Sequence, residues 1–397
     1  MKVLQVNCVY NRGSTGKIVY DIHQYLINKN FESIVCYGRL QSENEKNIFK
    51  TSSEILAKLN NLKARFTGIQ YGGCYFSTRK LINIIKREKP NVVHLHCLNG
   101  FFVNIYKILD FLKKNNIKTV ITLHAEFMYT GNCSHAYECN KWKKGCGDCP
   151  DLKRATNSYF FDNTNKAWMK MLKAFQDFEN LSIVSVSSWL EKRAKESKIL
   201  SNKKHTTILN GIETEKIFYP RLENINNKLI NEKIIIHVTA NFNNEIKGGK
   251  YIIELAKRLK SYNIKFLVIG NDKNQKKLPE NIIDIGKLKD QNKLAYYYSK
   301  ADLAIITSKK ETFSMVCAEA LSCGTPIVGF KAGAPEEIAL KKYSEFVEYG
   351  DIDELEKCVL KWLYKKDINH DHMVKLAQKK YSKIRMCERY IDIYENR

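Results

Sequence analysis

Residues 308–326 read SKKETFSMVCAEALSCGTP, and they follow the apolar run DLAII at residues 302–306. The apolar run has the length and composition of a buried strand. Ser314 is a residue type that often precedes a helix, and Gly324 followed by Pro326 is a common helix stop. The stretch therefore predicts a strand, a loop and a short helix in succession, which is one half of a parallel βα unit.

Glu311 and Glu319 stand on either side of the predicted helix start. A helix that begins at the carboxyl end of a parallel strand directs its first backbone N–H groups, and the positive end of its dipole, at that edge of the sheet. An anion bound there would have two carboxylates beside it to accept hydrogen bonds from hydroxyl groups. This combination suits a sugar diphosphate. The alternative is that Glu311 is a loop charge and Glu319 a solvated helix residue.

The E-x7-E spacing, with the GTP at residues 324–326 and the GAPE at residues 333–336, resembles the donor-site motif of retaining GT-B glycosyltransferases of family 4. The resemblance implies that Glu311 lies by the donor sugar and that Glu319 holds the nucleotide ribose. The residues whose backbone would face the diphosphate are Phe313, Ser314 and Met315. The implied fold is GT-B, an α/β architecture of two Rossmann-like domains facing each other across a cleft.

The length and composition agree with such an enzyme. A chain of 397 residues exceeds what one hydrophobic core usually supports, so two domains are expected. Hydrophobic residues make up 44% and charged residues 27%, which is typical of a soluble globular protein. The first seven residues lack a signal-peptide cleavage pattern, and no apolar run reaches the roughly 18 residues of a spanning helix. We therefore expect a cytoplasmic protein.

The formal net charge is +24, and the lysines that produce it are scattered along the chain. Such a charge favours nucleic acid, an anionic membrane or an anionic substrate as a partner. The sequence has no zinc-finger spacing, helix-turn-helix pattern or RNA-binding aromatic motif, so nucleic acid is not expected. The remaining alternatives are an anionic substrate, a membrane surface on the inner face of the cell, or a composition bias without a partner.

Short β-rich runs alternate with amphipathic helical patterns, which predicts parallel sheets covered by helices. The predicted strands of the first half are residues 2–9, 33–37, 91–96, 118–123, 182–186 and 206–209. Those of the second half are residues 233–239, 264–270, 282–285, 302–307, 327–330 and 345–348. Two sets of six strands predict two Rossmann-like domains.

The join between the domains is expected near the NGIET of residues 210–214, which resembles a linker motif of the same family and is followed by the aperiodic polar stretch 223–231. We predict an acceptor-side domain at residues 1–213 and a nucleotide-sugar domain at residues 214–380. The last segment, residues 381–397, carries a helical pattern that in this fold returns to the first domain.

Lys247 precedes a pair of glycines and resembles the family's lysine for the donor diphosphate. A cation there would neutralise charge that builds on the leaving phosphate. The family often has an arginine about five residues earlier, where this chain has Asn241 and Phe242. Lys250 and Lys309 are the candidates for the second cation.

Gly13 and Gly16, in the GSTGK of residues 13–17, match neither a Walker A loop nor a dinucleotide fingerprint. They resemble the family loop that approaches donor and acceptor, and a plain tight turn is the alternative. His124, in the TLHAE of residues 122–126, resembles the histidine that touches the donor sugar. A structural role at the end of a strand is the alternative for this histidine.

Two other patterns resemble metal motifs, and we expect neither to bind metal. We expect the strand to place His94 and His96 on opposite faces, so that only one of them lines the site. The DID of residues 351–353 has the spacing of a metal motif from another glycosyltransferase fold. Asp351 with Glu354 instead predicts a capping box at the start of a helix.

Four cysteines lie within residues 130–150, a segment that we call the cysteine loop; they are Cys133, Cys139, Cys146 and Cys149. Four thiols that end in a C-x2-C pair can form a tetrahedral zinc site and order a loop that lacks a core of its own. Unligated cysteines are the alternative, and His135 is a further candidate ligand. We expect the neighbouring lysines to ease deprotonation of the thiols, and we expect no disulfides. The loop resembles an insertion in the family branch of bacterial capsule, exopolysaccharide and O-antigen synthesis.

An apolar stripe runs through residues 55–66 beside basic residues; its members are Ile55, Leu56, Leu59, Leu62 and Phe66. A basic amphipathic helix of this kind can lie on anionic lipid. The sequence favours the alternative, in which the stripe packs on the sheet of the first domain.

Together these features predict a retaining glycosyltransferase that moves a hexosyl unit from a nucleoside-diphosphate sugar, preferably a UDP-sugar, to a hydroxyl of a glycan or lipid-linked glycan. The resemblance implies that the chemistry needs no cofactor. A sugar-nucleotide epimerase on the same fold and a basic, non-enzymatic polyanion-binding protein are the alternatives. Release of nucleotide and dependence on an acceptor would distinguish them.

Overall fold

The structure is a computed structural model that describes residues 1–43, 45–221, 232–271 and 278–396, with the backbone alone for residues 154 and 155. The polar stretch 223–231 lies outside the described residues. Two compact units are present, one formed by Met1–Leu209 with Met386–Arg397 and the other by Asn210–Arg385. The predicted boundaries at 213/214 and 380/381 differ from these divisions by a few residues.

The first unit contains a seven-stranded parallel sheet in the order β3-β2-β1-β4-β5-β6-β7. Its strands are β1 (Lys2–Asn7), β2 (Glu32–Tyr37), β3 (Ile48–Lys50), β4 (Val92–Leu95), β5 (Lys118–Leu123), β6 (Leu181–Ser185) and β7 (Lys204–Thr207). Its helices are α1 (Gly13–Asn28), α2 (Glu54–Thr67), α3 (Tyr75–Glu88), α4 (Ile105–Lys114), α5 (Leu152–Thr156), α6 (Thr164–Phe175) and α7 (Ser188–Glu196).

The second unit contains a six-stranded parallel sheet in the order β10-β9-β8-β11-β12-β13. Its strands are β8 (Lys233–Val238), β9 (Ile264–Ile269), β10 (Ile282–Gly286), β11 (Leu303–Ile306), β12 (Ile327–Phe330) and β13 (Ser344–Val347). The remaining helices are α8 (Gly249–Arg258), α9 (Gln291–Lys300), α10 (Met315–Ser322), α11 (Pro335–Ile338), α12 (Ile352–Leu363), α13 (His370–Tyr381) and α14 (Lys383–Glu395).

The α/β prediction is confirmed, because each of the twelve predicted strands corresponds to an observed strand within a few residues. The structure adds β3, a three-residue edge strand that is too short to give a sequence pattern. Both sheets have the same doubly wound order, in which the chain reverses direction across the sheet between β1 and β4 and between β8 and β11. The loops that leave the carboxyl ends of these central strands diverge, and the crevice between them is the usual ligand site of such sheets.

The core of the first unit extends into the last helix. Met386, Cys387, Tyr390 and Tyr394 of α14 pack with buried residues of α1 and of the central strands. The Tyr394 hydroxyl lies 2.6 Å from Nδ1 of His94. No helix within the described ranges is long and apolar enough to cross a membrane.

Candidate functional site

In the second unit, Lys247 and Glu311 meet at the crevice between β8 and β11. Lys247 ends the loop after β8, and Glu311 lies in the loop after β11. The Lys247 Nζ lies 2.6 Å from Glu311 Oε1, and the two side chains are 30% and 22% exposed. The structure thus brings together two predicted site residues that are 64 positions apart, at a place that a ligand can reach.

Two glycines after Lys247 allow the loops to approach each other. A Cβ atom on Gly248 would lie 2.1 Å from the Thr307 carbonyl oxygen, and one on Gly249 would lie 2.2 Å from the Phe242 carbonyl oxygen. The Thr307 hydroxyl donates hydrogen bonds to the carbonyls of Lys247 (3.2 Å) and Gly248 (3.0 Å). Because a side chain at Gly248 would collide with backbone, glycine is required for Lys247 to reach Glu311.

The backbone of Glu311 is held by the segment after β12. The Glu311 N–H donates to the Ala332 carbonyl over 2.9 Å, and the Ala334 N–H donates to the Glu311 carbonyl over 3.2 Å. The carboxylate of Glu336 accepts from the N–H groups of Ala332 and Gly333 at 3.1 and 3.0 Å. The GAPE motif therefore supports the loop that carries Glu311, a role that the sequence analysis did not assign.

Helix α10 begins at Met315, directly after this loop. Phe313 is buried, and Ser314 adopts φ 92° and ψ 94°, a conformation that is rare for a residue with a side chain. Ser314 is the N-cap residue of α10, as predicted, but its side chain makes no capping hydrogen bond. The Ser314 side chain therefore does not bond the first N–H groups of α10, which is compatible with an anion bound at the helix start.

Glu319 lies on α10 and is 7% exposed. The Tyr298 hydroxyl donates a hydrogen bond to Glu319 Oε2 over 3.0 Å, which holds the carboxylate in one orientation. Burial raises the pKa of the Glu319 carboxyl to about 7, and the Tyr298 hydrogen bond opposes this rise. Glu319 is therefore not a solvated helix residue. Tyr298 gave no signal in the sequence, since only the packing of α9 against α10 brings it near.

In the first unit, the three residues that the sequence predicts as contacts of donor or acceptor lie at the carboxyl edge of the sheet. Gly13 begins α1 after β1, with φ 63° and open space around a Cβ atom. Gly16 is closely packed, and a Cβ there would lie 3.0 Å from a Val9 methyl group. His124 directly follows β5, and β4 lies between β1 and β5 in the sheet.

The expectation that His94 and His96 point to opposite faces is wrong. Residues two apart on a strand share a face, and the two rings lie 3.8 Å apart. His96 Nδ1 lies 3.2 Å from His124 Nε2, and His96 Nε2 lies 3.2 Å from Gln5 Oε1. Burial lowers the pKa of His124 to about 4 and that of His96 well below its usual range, so both rings are neutral at pH 7. His124 is thus positioned by a second histidine that the sequence analysis did not assign to it.

The cysteine loop has a buried framework that the sequence analysis did not foresee. The fully buried Glu126 accepts from Arg193 Nε at 2.6 Å, from the Tyr129 hydroxyl at 3.1 Å and from the Ala136 N–H at 2.7 Å. Trp142 is also fully buried, and the Arg193 guanidinium lies 4.7 Å from its ring centroid. The premise that this loop lacks a core is therefore wrong.

The four cysteines of the loop are partly buried, and none of them forms a disulfide in the structure. Burial raises the thiol pKa of both Cys133 and Cys146 to about 12, which is opposite to the expected effect of the lysines. Within the described part of the chain, no group of three or more His, Cys, Asp or Glu side chains is arranged to hold a metal ion. Zinc binding by the loop stays a prediction, for which metal analysis is the test.

The DID pattern is a helix cap. The Asp351 side chain accepts from the Glu354 N–H over 3.0 Å at the start of α12, as predicted.

The candidates for the second phosphate cation lie near aromatic rings: Lys250 Nζ is 4.9 Å from the Tyr251 centroid, and Lys309 Nζ is 5.9 Å from the Tyr349 centroid. Phe242, at the position of the family's arginine, is buried.

Known proteins match this chain over most of its length. Residues 15–216, more than half of the chain, match the family Glycosyltransferase Family 4, and residues 220–381 match Glycosyl transferases group 1. WcaC of Escherichia coli K12, which is assigned to colanic acid biosynthesis as a glycosyl transferase, is 22% identical over 419 aligned residues that cover 100% of both chains.

Several solved structures resemble the whole chain. Sucrose-phosphate synthase of Thermosynechococcus elongatus has a TM-score of 0.71 at 13% identity, covering 100% of this chain and 98% of that one. Anabaena HepE, solved in complex with UDP-glucose, has a TM-score of 0.68 at 14% identity, covering 100% of both chains. The likeness confirms the GT-B fold. The match to Glycosyltransferase Family 4 over more than half of the chain shows that this chain belongs to that family, a retaining hexosyltransferase family that uses nucleotide sugars.

Proposed function

We propose that this enzyme transfers a hexosyl unit from a UDP-sugar to a hydroxyl group of a polysaccharide or lipid-linked oligosaccharide, with retention of the anomeric configuration. The observation that carries the proposal is the contact between Lys247 and Glu311 at the crevice between β8 and β11, beside the start of α10. Family membership does not support the epimerase or the non-enzymatic polyanion-binding alternative.

The diphosphate of the donor binds at the α10 N-terminus and Lys247. The helix start contributes N–H donors and a positive dipole end, and Lys247 contributes a full positive charge that is partly exposed. Glu319, one turn inside the helix, accepts hydrogen bonds from the ribose hydroxyls, with Tyr298 fixing the carboxylate. Glu311 lies beside Lys247 and therefore next to the sugar that the diphosphate carries.

The reaction breaks the bond between the sugar C1 and the diphosphate oxygen and forms a bond from C1 to the acceptor oxygen on the same face. The acceptor hydroxyl gives its proton to the leaving phosphate oxygen. Because negative charge grows on that phosphate as the bond breaks, Lys247 stabilises the transition state more than the bound donor. The contacts of donor or acceptor with His124, Gly13 and Gly16 stay predictions. Variants of each residue can test them separately.

Two relatives support the choice of substrates. HepE was solved with UDP-glucose, which favours uridine as the nucleoside of the donor. WcaC is assigned to colanic acid biosynthesis, which favours a growing polysaccharide as the acceptor.

The test is a donor screen in which nucleotide release is measured for UDP-glucose, UDP-galactose, UDP-N-acetylglucosamine and GDP-mannose, with and without glycan acceptors. One UDP-sugar should be used preferentially, and magnetic resonance of the product should show the donor's anomeric configuration. Preference for the guanosine donor would contradict the choice of base, and an inverted product would contradict the mechanism.

Lys247→Ala tests the assigned role of the lysine. Turnover should fall roughly 10²-fold, with a smaller change in donor affinity, because the lysine acts mainly on charge that develops in the transition state. Lys257→Ala, on the exposed part of α8, is the matched control and should behave like the wild type. If Lys247→Ala only raises the Michaelis constant, then the lysine binds the donor without assisting departure of the phosphate.

A further inference from the structure

Helix α2 has the reverse of the usual amphipathic arrangement. Its buried residues are the small Ala57 and Ala64, while its large apolar side chains face solvent. The exposed fractions are 72% for Ile55, 39% for Leu56, 57% for Leu59, 52% for Leu62 and 48% for Phe66. The expectation that this stripe packs on the first sheet is therefore wrong. Leaving five large apolar side chains in water on one helix face is costly unless something covers them.

Aromatic residues extend the stripe at the end of α2. Phe66 stacks on Phe160 with a centroid distance of 5.9 Å and meets Tyr159 edge-on at the same distance. Arg65 Nη1 donates to the Tyr159 hydroxyl over 2.7 Å, which ties the segment of residues 159–161 to the helix. Phe160 and Phe161 are themselves exposed.

The start of α3 extends the stripe on its other side. Tyr75 and Phe76 are exposed, and with Leu56 and Lys63 they line a cavity of about 400 Å³. Phe76 also borders a second groove of about 450 Å³, whose basic lining residues are Arg79, Lys80 and Arg87. We call the α2 stripe, residues 159–161, Tyr75, Phe76 and the basic residues around them the apolar-basic surface.

The charge of the apolar-basic surface is positive. Helix α2 carries Lys58, Lys63 and Arg65, and its single acidic residue, Glu54, is bound through both carboxylate oxygens by Arg39 at 3.0 and 2.8 Å. The two grooves add the basic residues that line them. Large apolar and aromatic side chains surrounded by lysine and arginine are the pattern of proteins that insert shallowly between anionic lipid headgroups.

We infer that the apolar-basic surface docks the first unit onto an anionic phospholipid bilayer. The side chains of α2, together with Phe160, Phe161 and Phe76, enter the boundary between headgroups and acyl chains. The lysines and arginines contact lipid phosphates. This inference goes beyond the proposed reaction and does not depend on the identity of the donor, because lipid binding can be measured without any sugar nucleotide.

Vesicle binding of the full chain tests the inference. The protein should co-float with vesicles of phosphatidylcholine and phosphatidylglycerol, and bind vesicles of phosphatidylcholine alone much more weakly. Leu59→Gln with Leu62→Gln should weaken partitioning by about tenfold or more, because two leucines no longer leave water. Glutamine favours helix, so circular dichroism should be unchanged. Ile27→Gln with Met169→Gln removes two exposed apolar side chains elsewhere on the same unit and is the matched control.

A second pair of variants tests the charges. Lys58→Gln with Lys63→Gln should weaken binding to the anionic vesicles by roughly tenfold to thirtyfold. Lys366→Gln with Lys375→Gln changes the net charge equally on the second unit, and should have little effect.

Three outcomes would overturn the inference. The first is absence of binding to anionic vesicles. The second is binding that the stripe variants leave intact, as a site elsewhere or simple polyanion affinity would give. The third is a wild-type dimer in sedimentation that the Leu59 and Leu62 variants convert to a monomer, which would identify a second copy of the chain as the cover. Failure of the donor screen would leave this result unaffected, so the two proposals fail separately.

Discussion

Replacing Glu319 with glutamine should stabilise the protein at alkaline pH and weaken nucleotide binding in the same variant. Glu319 is 7% exposed, and burial raises the pKa of its carboxyl from 4.5 to about 7. Within that window the folded protein binds the proton more tightly than the unfolded chain does. The stability that this group contributes therefore falls as the pH rises through the window, and the full cost of the buried charge is present above pH 7.

The size of the effect follows from the same pKa. A rise from 4.5 to about 7 corresponds to about 3 kcal/mol of lost stability once the carboxyl is ionised. Glutamine has a similar shape, carries no charge and still accepts from the Tyr298 hydroxyl. Its advantage should reach up to about 3 kcal/mol near pH 8 and shrink to about 1 kcal/mol or less near pH 5. In melting temperature this amounts to roughly 5–10 °C for a unit of this size.

Nucleotide binding should change in the opposite direction. A hydrogen bond from a ribose hydroxyl to a carboxylate is charge-assisted and contributes about 1.5–3 kcal/mol, so UDP should bind roughly tenfold to a hundredfold more weakly to the variant. Because the ribose favours the ionised form of Glu319, the wild-type affinity for UDP should rise as the pH increases through 7, and that of the variant should not.

The assays are thermal and denaturant unfolding across pH, with UDP titration calorimetry at the same pH values. Glu280→Gln, at a carboxylate that is 85% exposed, is the control for loss of a charge in the second unit. A stability difference that does not depend on pH would refute the argument from the buried charge. Unchanged UDP affinity in a folded variant would refute the ribose assignment.

Three further predictions concern the supporting structure. Glu126→Ala should destabilise the first unit by about 3–5 kcal/mol in denaturant unfolding, because it leaves the buried Arg193 guanidinium uncompensated. The control, Asp110→Ala at an exposed ion pair, should cost under about 1 kcal/mol. Equal effects of the two variants would contradict the structural role of Glu126. Gly248→Ala should lower turnover, because the added Cβ collides with backbone and displaces Lys247. Gly145→Ala, where a Cβ meets open space, is the control and should leave turnover unchanged. Normal turnover of Gly248→Ala would show that the loop after β8 can shift to accept the methyl group. Metal analysis of protein purified without added metal tests the zinc site of the cysteine loop: near-stoichiometric zinc would confirm the sequence prediction, and an active, metal-free protein would rule the site out.

Much of the fold could be predicted because its signals are local. Buried parallel strands need runs of apolar residues, and the helices that follow them need amphipathic patterns and caps, so strand positions were correct within a few residues. Strand β3 was missed since three edge residues carry no such pattern. The orientation of α2 was predicted wrongly, because periodicity shows that a helix has an apolar face but not which face meets the protein.

The candidate site likewise contains residues that local motifs mark and partners that no local motif marks. The sequence brought forward Lys247, Glu311 and Glu319 through motifs whose spacing is local to one loop or helix. Their partners come from elements distant in sequence: Tyr298 holds Glu319, and His96 meets His124. No local pattern marks such partners, since a tyrosine or histidine in a helix or strand is most often a core residue.

The sequence by itself determined the class of sheet, the two sets of strands and most helix starts, because these depend on residue type and short-range spacing. On the same basis it predicted the residues that suit a diphosphate and a sugar. Only the tertiary structure decided the strand order, which brings the loops after β8 and β11 together at one crevice. It also decided that Glu319 is buried with a raised pKa, that the buried pair of Glu126 and Arg193 contacts the cysteine loop, and that the α2 stripe faces solvent. These properties depend on which surfaces pack against each other, and that is settled only when segments far apart in the chain compete for the same core.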